Sequence, residues 1–139
     1  MASQTFVYVG AEADGLYRKE HNDSQWTKLS KGMPPSPQVR AIAIDPRNSS
    51  TLFVGTQRGV YRSKDSGDSF ERMNMDEGRI VWSIKFHPNN PDIMFLGTEG
   101  SEVYRSDDAG ANWDLSLIHI SEPTRRYAIS YAVFCLKKK

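Results

Sequence analysis

The 139-residue sequence predicts an all-β fold, and three observations carry that prediction. The chain repeats itself: "TFVYVGAEADGLYRKEHNDSQWTKL" from Thr5, "TLFVGTQRGVYRSKDSGDSFERM" from Thr51 and "IMFLGTEGSEVYRSDDAGANWDL" from Ile93 align at many points. Each repeat divides into short runs of alternating or β-branched residues separated by Gly, Pro, Asn and Asp, the pattern of strands and tight turns. No segment sustains the 3.6-residue apolar period of a helix. Four strands recurring every ~40–45 residues correspond to the blades of a β-propeller, which bury their sheet faces against neighbouring sheets.

The alignment fixes the register. Gly10, Gly55 and Gly97 correspond, as do Tyr17, Tyr61 and Tyr104, and each unit closes on Trp26, Phe70 or Trp113, spaced 44 and then 43 residues apart. A matched pair of segments, "VRAIAIDPRNSS" from Val39 and "VWSIKFHPNNPD" from Val81, precedes the second and third units. The units therefore span about 5–38, 39–80 and 81–114. In the complete unit, "VRAIAI" is the first strand, "TLFVGT" the second, "GVYRSK" the third and "SFERMN" the fourth, and "DPRNSS" is a turn. The first unit opens at its second strand. If Met1 is the true start, the missing strand is expected from the far end of a longer chain. Residues 1–114 thus read as a propeller fragment of about two and a half blades.

The loop between the third and fourth strands has the pattern S-x-D-x-G-x-x-[WF]: Ser63, Asp65, Gly67 and Phe70 in one copy, Ser106, Asp108, Gly110 and Trp113 in the other. This pattern resembles the Asp-box of the BNR repeat, found in sialidases, sortilin-type receptors, some glucanases and photosystem assembly factors. In a tight hairpin the Asp carboxylate can accept loop N–H groups, the glycine supplies a backbone angle a Cβ resists, and the aromatic anchors the next strand between blades. The aligned "KEHNDSQW" of Lys19–Trp26 keeps only the aromatic, so that box is degenerate. All six repeat aromatics are expected to be buried between blades.

After Trp113 the repeat stops. "LSLIHISEPTR" resembles a translated transposase-type sequencing adapter, "ISYAVFCL" the flow-cell adapter that follows it, and the three terminal lysines translated poly-A. Residues 115–139 are accordingly read as an adapter-derived tail. A short strand at about 113–120 is expected where that tail extends an open sheet edge, with a break from Ser121. Without residues 115–139 the chain keeps 13 basic and 16 acidic residues, a net charge of −3, and loses Cys135.

Composition narrows the function classes. The whole chain has net charge +1 and 38% hydrophobic residues. That leaves no basic surplus for nucleic acid and no apolar run long enough to span a bilayer. The absence of a visible signal peptide makes the cytoplasm the expected location. No cofactor and no metal are expected: Asp65, Asp108, Asp68 and Asp107 lack the spacing of a calcium loop. His87 stands where the other unit has Asp45 and reads as a turn residue. Arg18, Arg62 and Arg105 each follow a repeat tyrosine. Because they are repeat-equivalent, they read as recurring surface or hairpin contacts and not as the carboxylate-gripping arginine triad of sialidases.

"GAEADGLYR", Gly10–Arg18, resembles the first-blade motif of Asp-box glucanases, which implies Glu12 or Asp14 as a general base. The second carboxylate that inverting hydrolysis needs, ~6.5–9.5 Å away, would come from a blade outside this stretch. The reading placed first is a non-catalytic scaffold whose partner is a protein or a carbohydrate. The alternative is the N-terminal part of a sialidase-like or glucanase-like glycoside hydrolase.

Overall fold

A computed structural model describes residues 5–11, 13–75, 79–100 and 102–115. Its described residues form strands and turns with no helix, arranged as three antiparallel sheets. The first sheet holds β1 (Phe6–Ala11), β2 (Gly15–Glu20) and β3 (Thr27–Leu29) in that order. The second holds β4 (Ala41–Ile44), β5 (Leu52–Thr56), β6 (Gly59–Ser63) and β7 (Glu71–Arg72). The third holds β8 (Val81–Phe86), β9 (Met94–Thr98), β10 (Glu102–Ser106) and β11 (Asp114–Leu115). Strands neighbouring in sequence are neighbours in each sheet, as in a propeller blade. β11 falls within the strand expected at 113–120; residues 116–139, the whole of the tail but Leu115, lie outside the described residues.

Two apolar layers join the sheets, and alternation along the strands builds them. On β5, Leu52 and Val54 face the first sheet and meet Leu16, Leu29, Val39, Tyr61 and Phe70, while Phe53 faces the third. There Phe53, Val60, Met73 and Met75 pack against Val81, Ile84, Met94, Leu96, Tyr104 and Trp113. A strand buried on both faces reads as a continuous apolar run, and every residue of β5 and of β9 is indeed buried. The repeat glycines let these layers close. A Cβ on Gly55 would lie 2.7 Å from Val81 Cγ1, and one on Gly10 would overlap Val39, so each glycine admits the first valine of the next unit.

The repeat aromatics divide. Tyr61, Tyr104, Phe70 and Trp113 are buried, Tyr17 is half-buried, and Trp26 is 45% exposed. The expectation of uniform burial fails at Trp26 for a structural reason. Phe70 and Trp113 each pack against the sheet that precedes their own, and among the described residues no sheet precedes the first.

Candidate functional site

Antiparallel connectivity sorts the loops onto two opposite ends. One end, the loop face, carries the turns between first and second strands and the S-x-D-x-G loops. The other, the entry face, carries the starts of β4 and β8, the ends where β1 meets β2, β5 meets β6 and β9 meets β10, and the segments leading into β4 and β8.

At the loop face the two S-x-D-x-G loops are near copies. Asp65 Oδ1 accepts from the Ser69 N–H at 2.9 Å and the Ser63 hydroxyl at 2.7 Å, and Oδ2 accepts from the Ser69 hydroxyl at 2.6 Å. Asp108 takes the Asn112 N–H and side-chain amide, both at 2.9 Å, and the Ser106 hydroxyl at 2.8 Å. These donors, the Ser69 hydroxyl first for Asp65 and the Asn112 amide first for Asp108, lower both carboxyls to about 2. Sequence reasoning gave the loop serines no role, yet they are its hub. Ser63 Oγ accepts from the Gly67 N–H at 2.8 Å while donating to Asp65, and Ser106 does the same with Gly110 at 2.9 Å. Both serines are buried. Ser66 and Gly67 sit at φ 60° and 97°, Ala109 and Gly110 at 59° and 91°, the paired positive angles of a type I′ turn.

Each loop is seated on the preceding sheet. A Cβ on Gly67 would lie 2.6 Å from Leu29 Cδ1, and one on Gly110 2.5 Å from the Phe53 ring. Tyr8 and Arg18 of the first sheet reach across to the Ser66 carbonyl at 2.9 and 2.6 Å, and burial raises the Tyr8 phenol. The repeat-equivalent arginines make unlike contacts: Arg18 pairs with Asp68, Arg62 with Glu71, and Arg105 with Asp107. His87 occupies its turn as Asp45 does. Its Nδ1 accepts from the Asn89 N–H at 3.1 Å, where Asp45 Oδ1 takes the Arg47 N–H at 2.8 Å. Hydrogen bonds and ion pairs, within the loops and between neighbouring sheets, thus engage these polar side chains of the loop face.

The entry face is different. Trp82 lies at a β-bulge in β8, where the pairing passes from Val81–Thr98 to Ser83–Gly97 and leaves Trp82 out of register. A bulge re-aims its side chain, and Trp82 is 50% exposed. The guanidinium of Arg40, its repeat equivalent, stacks on the indole with Cζ 4.4 Å from the ring centre. The Gln57 side chain ties the approach to β4: its Oε1 accepts from the Gln38 N–H at 2.8 Å and its Nε2 donates to the Ser36 carbonyl at 3.3 Å. A planar, half-exposed aromatic backed by a fixed cation is a platform for a flat, weakly polar ligand face. Sequence reasoning passed over Trp82. The signal available was an indole at a polar position of a half-buried strand, where the aligned unit has Arg40.

Of the two carboxylate candidates, Glu12 lies outside the described residues. Asp14 is on the entry face, at the tip of the β1–β2 hairpin, exposed. It accepts from the Tyr17 hydroxyl and from Lys28 Nζ at 3.3 Å, and these two donors, the phenol first, lower its pKa. A carboxylate held ionised by two donors is a weak proton acceptor. Asp14 is better suited to fixing the hairpin than to general-base work.

The family profile described as Sortilin, neurotensin receptor 3 (Sortilin-Vps10) matches residues 58–132, a span that extends past Asp114 into the stretch read as adapter-derived. A xyloglucanase of Hypocrea jecorina (strain QM6a) is 28% identical over 111 residues, covering 77% of this chain and 13% of that protein. The vacuolar protein sorting/targeting protein 10 of Sordaria macrospora is 26% identical over 116 residues, 81% of this chain and 8% of that protein. The crystal structure of an ancestral GH74 enzyme superposes with a TM-score of 0.70 at 24% identity, over 79% of this chain and 16% of the other. This superposition shows the propeller fold. The chain spans 13% or less of the length of these two sequence relatives. Strand order, blade-on-blade packing and the profile match over more than half of the sequence lead to one assignment: the chain belongs to the Sortilin-Vps10 family, as part of a BNR-type β-propeller.

Proposed function

We propose that this chain forms part of the glycan-binding face of a xyloglucanase-like glycoside hydrolase. The polysaccharide lies across the entry face, over Trp82. The observation that carries the reading is the Trp82–Arg40 stack, exposed on the same face as Asp14 of the β1–β2 hairpin. The axial C–H face of a pyranose packs on an indole, and a ring already held by a guanidinium loses little freedom on binding. The likeness to the H. jecorina xyloglucanase supports this assignment over the scaffold reading placed first from sequence. In this assignment Glu12 is the general-base candidate, Asp14 braces its hairpin, and the acid belongs to a blade outside the described residues.

Affinity electrophoresis tests it. The chain should be retarded in gels containing xyloglucan and unretarded in gels containing mannan, and Trp82→Ala should abolish the retardation while leaving the circular dichroism spectrum unchanged. Equal mobility in both gels would refute it. A second reading, a protein-binding propeller, is favoured by the likeness to the S. macrospora sorting protein. It predicts no glycan retardation and no effect of Trp82→Ala on it.

A further inference from the structure

The two apolar layers differ where they reach the loop face. Between the second and third sheets, Phe53 of β5 meets Phe86 at the end of β8 edge-on, with ring centres 5.9 Å apart at 70°, and Phe53 is fully buried. Between the first and second sheets the same two repeat positions hold Tyr8 of β1 and Ile44 at the end of β4. The strand register supports the equivalence, since Ile44 opposes Leu52 as Phe86 opposes Met94. The neighbouring loops are held alike, the Ser66 N–H on the Ser50 carbonyl at 2.9 Å and the Ala109 N–H on the Asp92 carbonyl at 2.8 Å. Isoleucine supplies no ring, and space is left beside Tyr8. An open cavity of about 470 Å³ is lined there by Phe6, Tyr8, Ile44, Ser49, Ser50 and Ser66. It lies on the side of β1 that faces the second sheet, where Tyr8 packs on the shared layer, and not along the pairing edge of the strand.

We infer that this cavity binds a small phenol, its ring edge-on to Tyr8 where Phe86 stands against Phe53, and its hydroxyl toward Ser49 and Ser50. The sibling layer shows the chemistry that fits, because an aromatic edge set against an aromatic face is the arrangement ring quadrupoles favour. The wall is already fixed. The Tyr8 hydroxyl and Arg18 Nη1 both donate to the Ser66 carbonyl, at 2.9 and 2.6 Å, and the Arg18 guanidinium carbon lies 4.6 Å from the Phe6 ring centre. Little side-chain freedom is therefore lost when a guest enters. No charged side chain lines the cavity, so it selects neither an anion nor a cation. Serine hydroxyls both donate and accept, which suits one neutral hydroxyl on the guest. The cavity is at the end of the sheets opposite the entry face, and the inference does not rest on the glycan reading.

The probe is para-fluorophenol, titrated into the full chain and followed by fluorine NMR. Its resonance should shift and saturate. Unlabelled phenol should displace it, and cyclohexanol, of similar size and with the same hydroxyl but no aromatic ring, should not. Ile44→Phe places a ring where Phe86 stands in the other layer, so it should abolish the saturable shift and raise the melting temperature. A second measurement needs no variant: on adding phenol to the unaltered chain, the Ile44 δ-methyl resonance should move by the ring current of the guest, while that of Ile84, buried in the other layer, stays in place. No saturable shift, equal displacement by cyclohexanol, displacement by methyl glucoside, or binding that survives Ile44→Phe would each overturn the inference.

Discussion

Replacing the loop glycines by alanine separates two costs that the structure places at one atom. At Gly110 the backbone has φ 91°, where an L-residue loses ~1–2 kcal/mol, and the new Cβ would lie 2.5 and 2.9 Å from two atoms of the Phe53 ring. Phe53 is fully buried in the layer between the second and third sheets and cannot turn aside, so overpacking adds ~1–3 kcal/mol. Gly110→Ala should therefore cost about 2–5 kcal/mol. At Gly67 the angle is alike, φ 97°, but the nearest neighbour is the Cδ1 methyl of Leu29 at 2.6 Å, the free end of a flexible side chain. Gly67→Ala should cost about 1–3 kcal/mol, the backbone term plus a small repacking. Gly110→Asn supplies the control: asparagine tolerates positive φ but still carries a Cβ, so it should recover the backbone share and none of the clash. Guanidinium unfolding followed by far-ultraviolet circular dichroism reads all three. If Gly67→Ala proved as costly as Gly110→Ala, the packing of each loop onto the preceding sheet would be wrong.

Other expectations follow from the same loops and from the layers they anchor. Ser63→Ala removes the acceptor of the buried Gly67 N–H and should destabilise by about 1–3 kcal/mol in the same assay, more than an exposed serine such as Ser24 would. Asp65 and Asp108 have folded-state pKa values lowered to about 2 by their loop donors, so their stabilisation is complete above the ordinary carboxylate pKa near 4. It should be lost as pH falls from about 4 to 2, and an acid unfolding curve that is flat over that window would contradict the hydrogen bonding described. Gly55→Ala, whose Cβ meets Val81 at Cγ1, Cβ and the carbonyl oxygen, should cost about 1–3 kcal/mol by prying the second and third sheets apart; thermal melting reads it, and a neutral result would refute the close approach. Genomic sequence from the source, read across codon 115, should depart from the adapter-like stretch, and an in-frame match to residues 115–139 would overturn the reading of that tail.

What could be read from the residues alone depended on how local the cause was. The period, the strand order and the turns were legible because alternation, glycine and Asx chemistry act within a few residues. The loop serines were not: the S-x-D-x-G spacing names Ser63, but its role depends on a Gly67 N–H that becomes buried only when the loop lies on Leu29. Trp26 went astray for the converse reason. Its position matches Phe70 and Trp113, but burial belongs to the pair of sheets and not to the residue. Trp82 was hidden by an irregularity, since a bulge cannot be seen in an alternation pattern and it is the bulge that turns the indole outward. Asp14 was found by motif, but its engagement by Tyr17 and Lys28 needed the folded hairpin and strand β3.

The three tryptophans stand in three different places: Trp26 half-exposed on the first sheet, Trp82 half-exposed on the entry face, and Trp113 buried between sheets. Their indole N–H resonances therefore report separately, and titrating the labelled chain with a xyloglucan oligosaccharide tests the central assignment directly. The Trp82 resonance should shift and saturate, with the Arg40 Nε–H moving alongside it, while those of Trp26 and Trp113 stay in place. A shift confined to Trp26, or no shift in any of the three at saturating oligosaccharide, would contradict the placement of a glycan on the entry face.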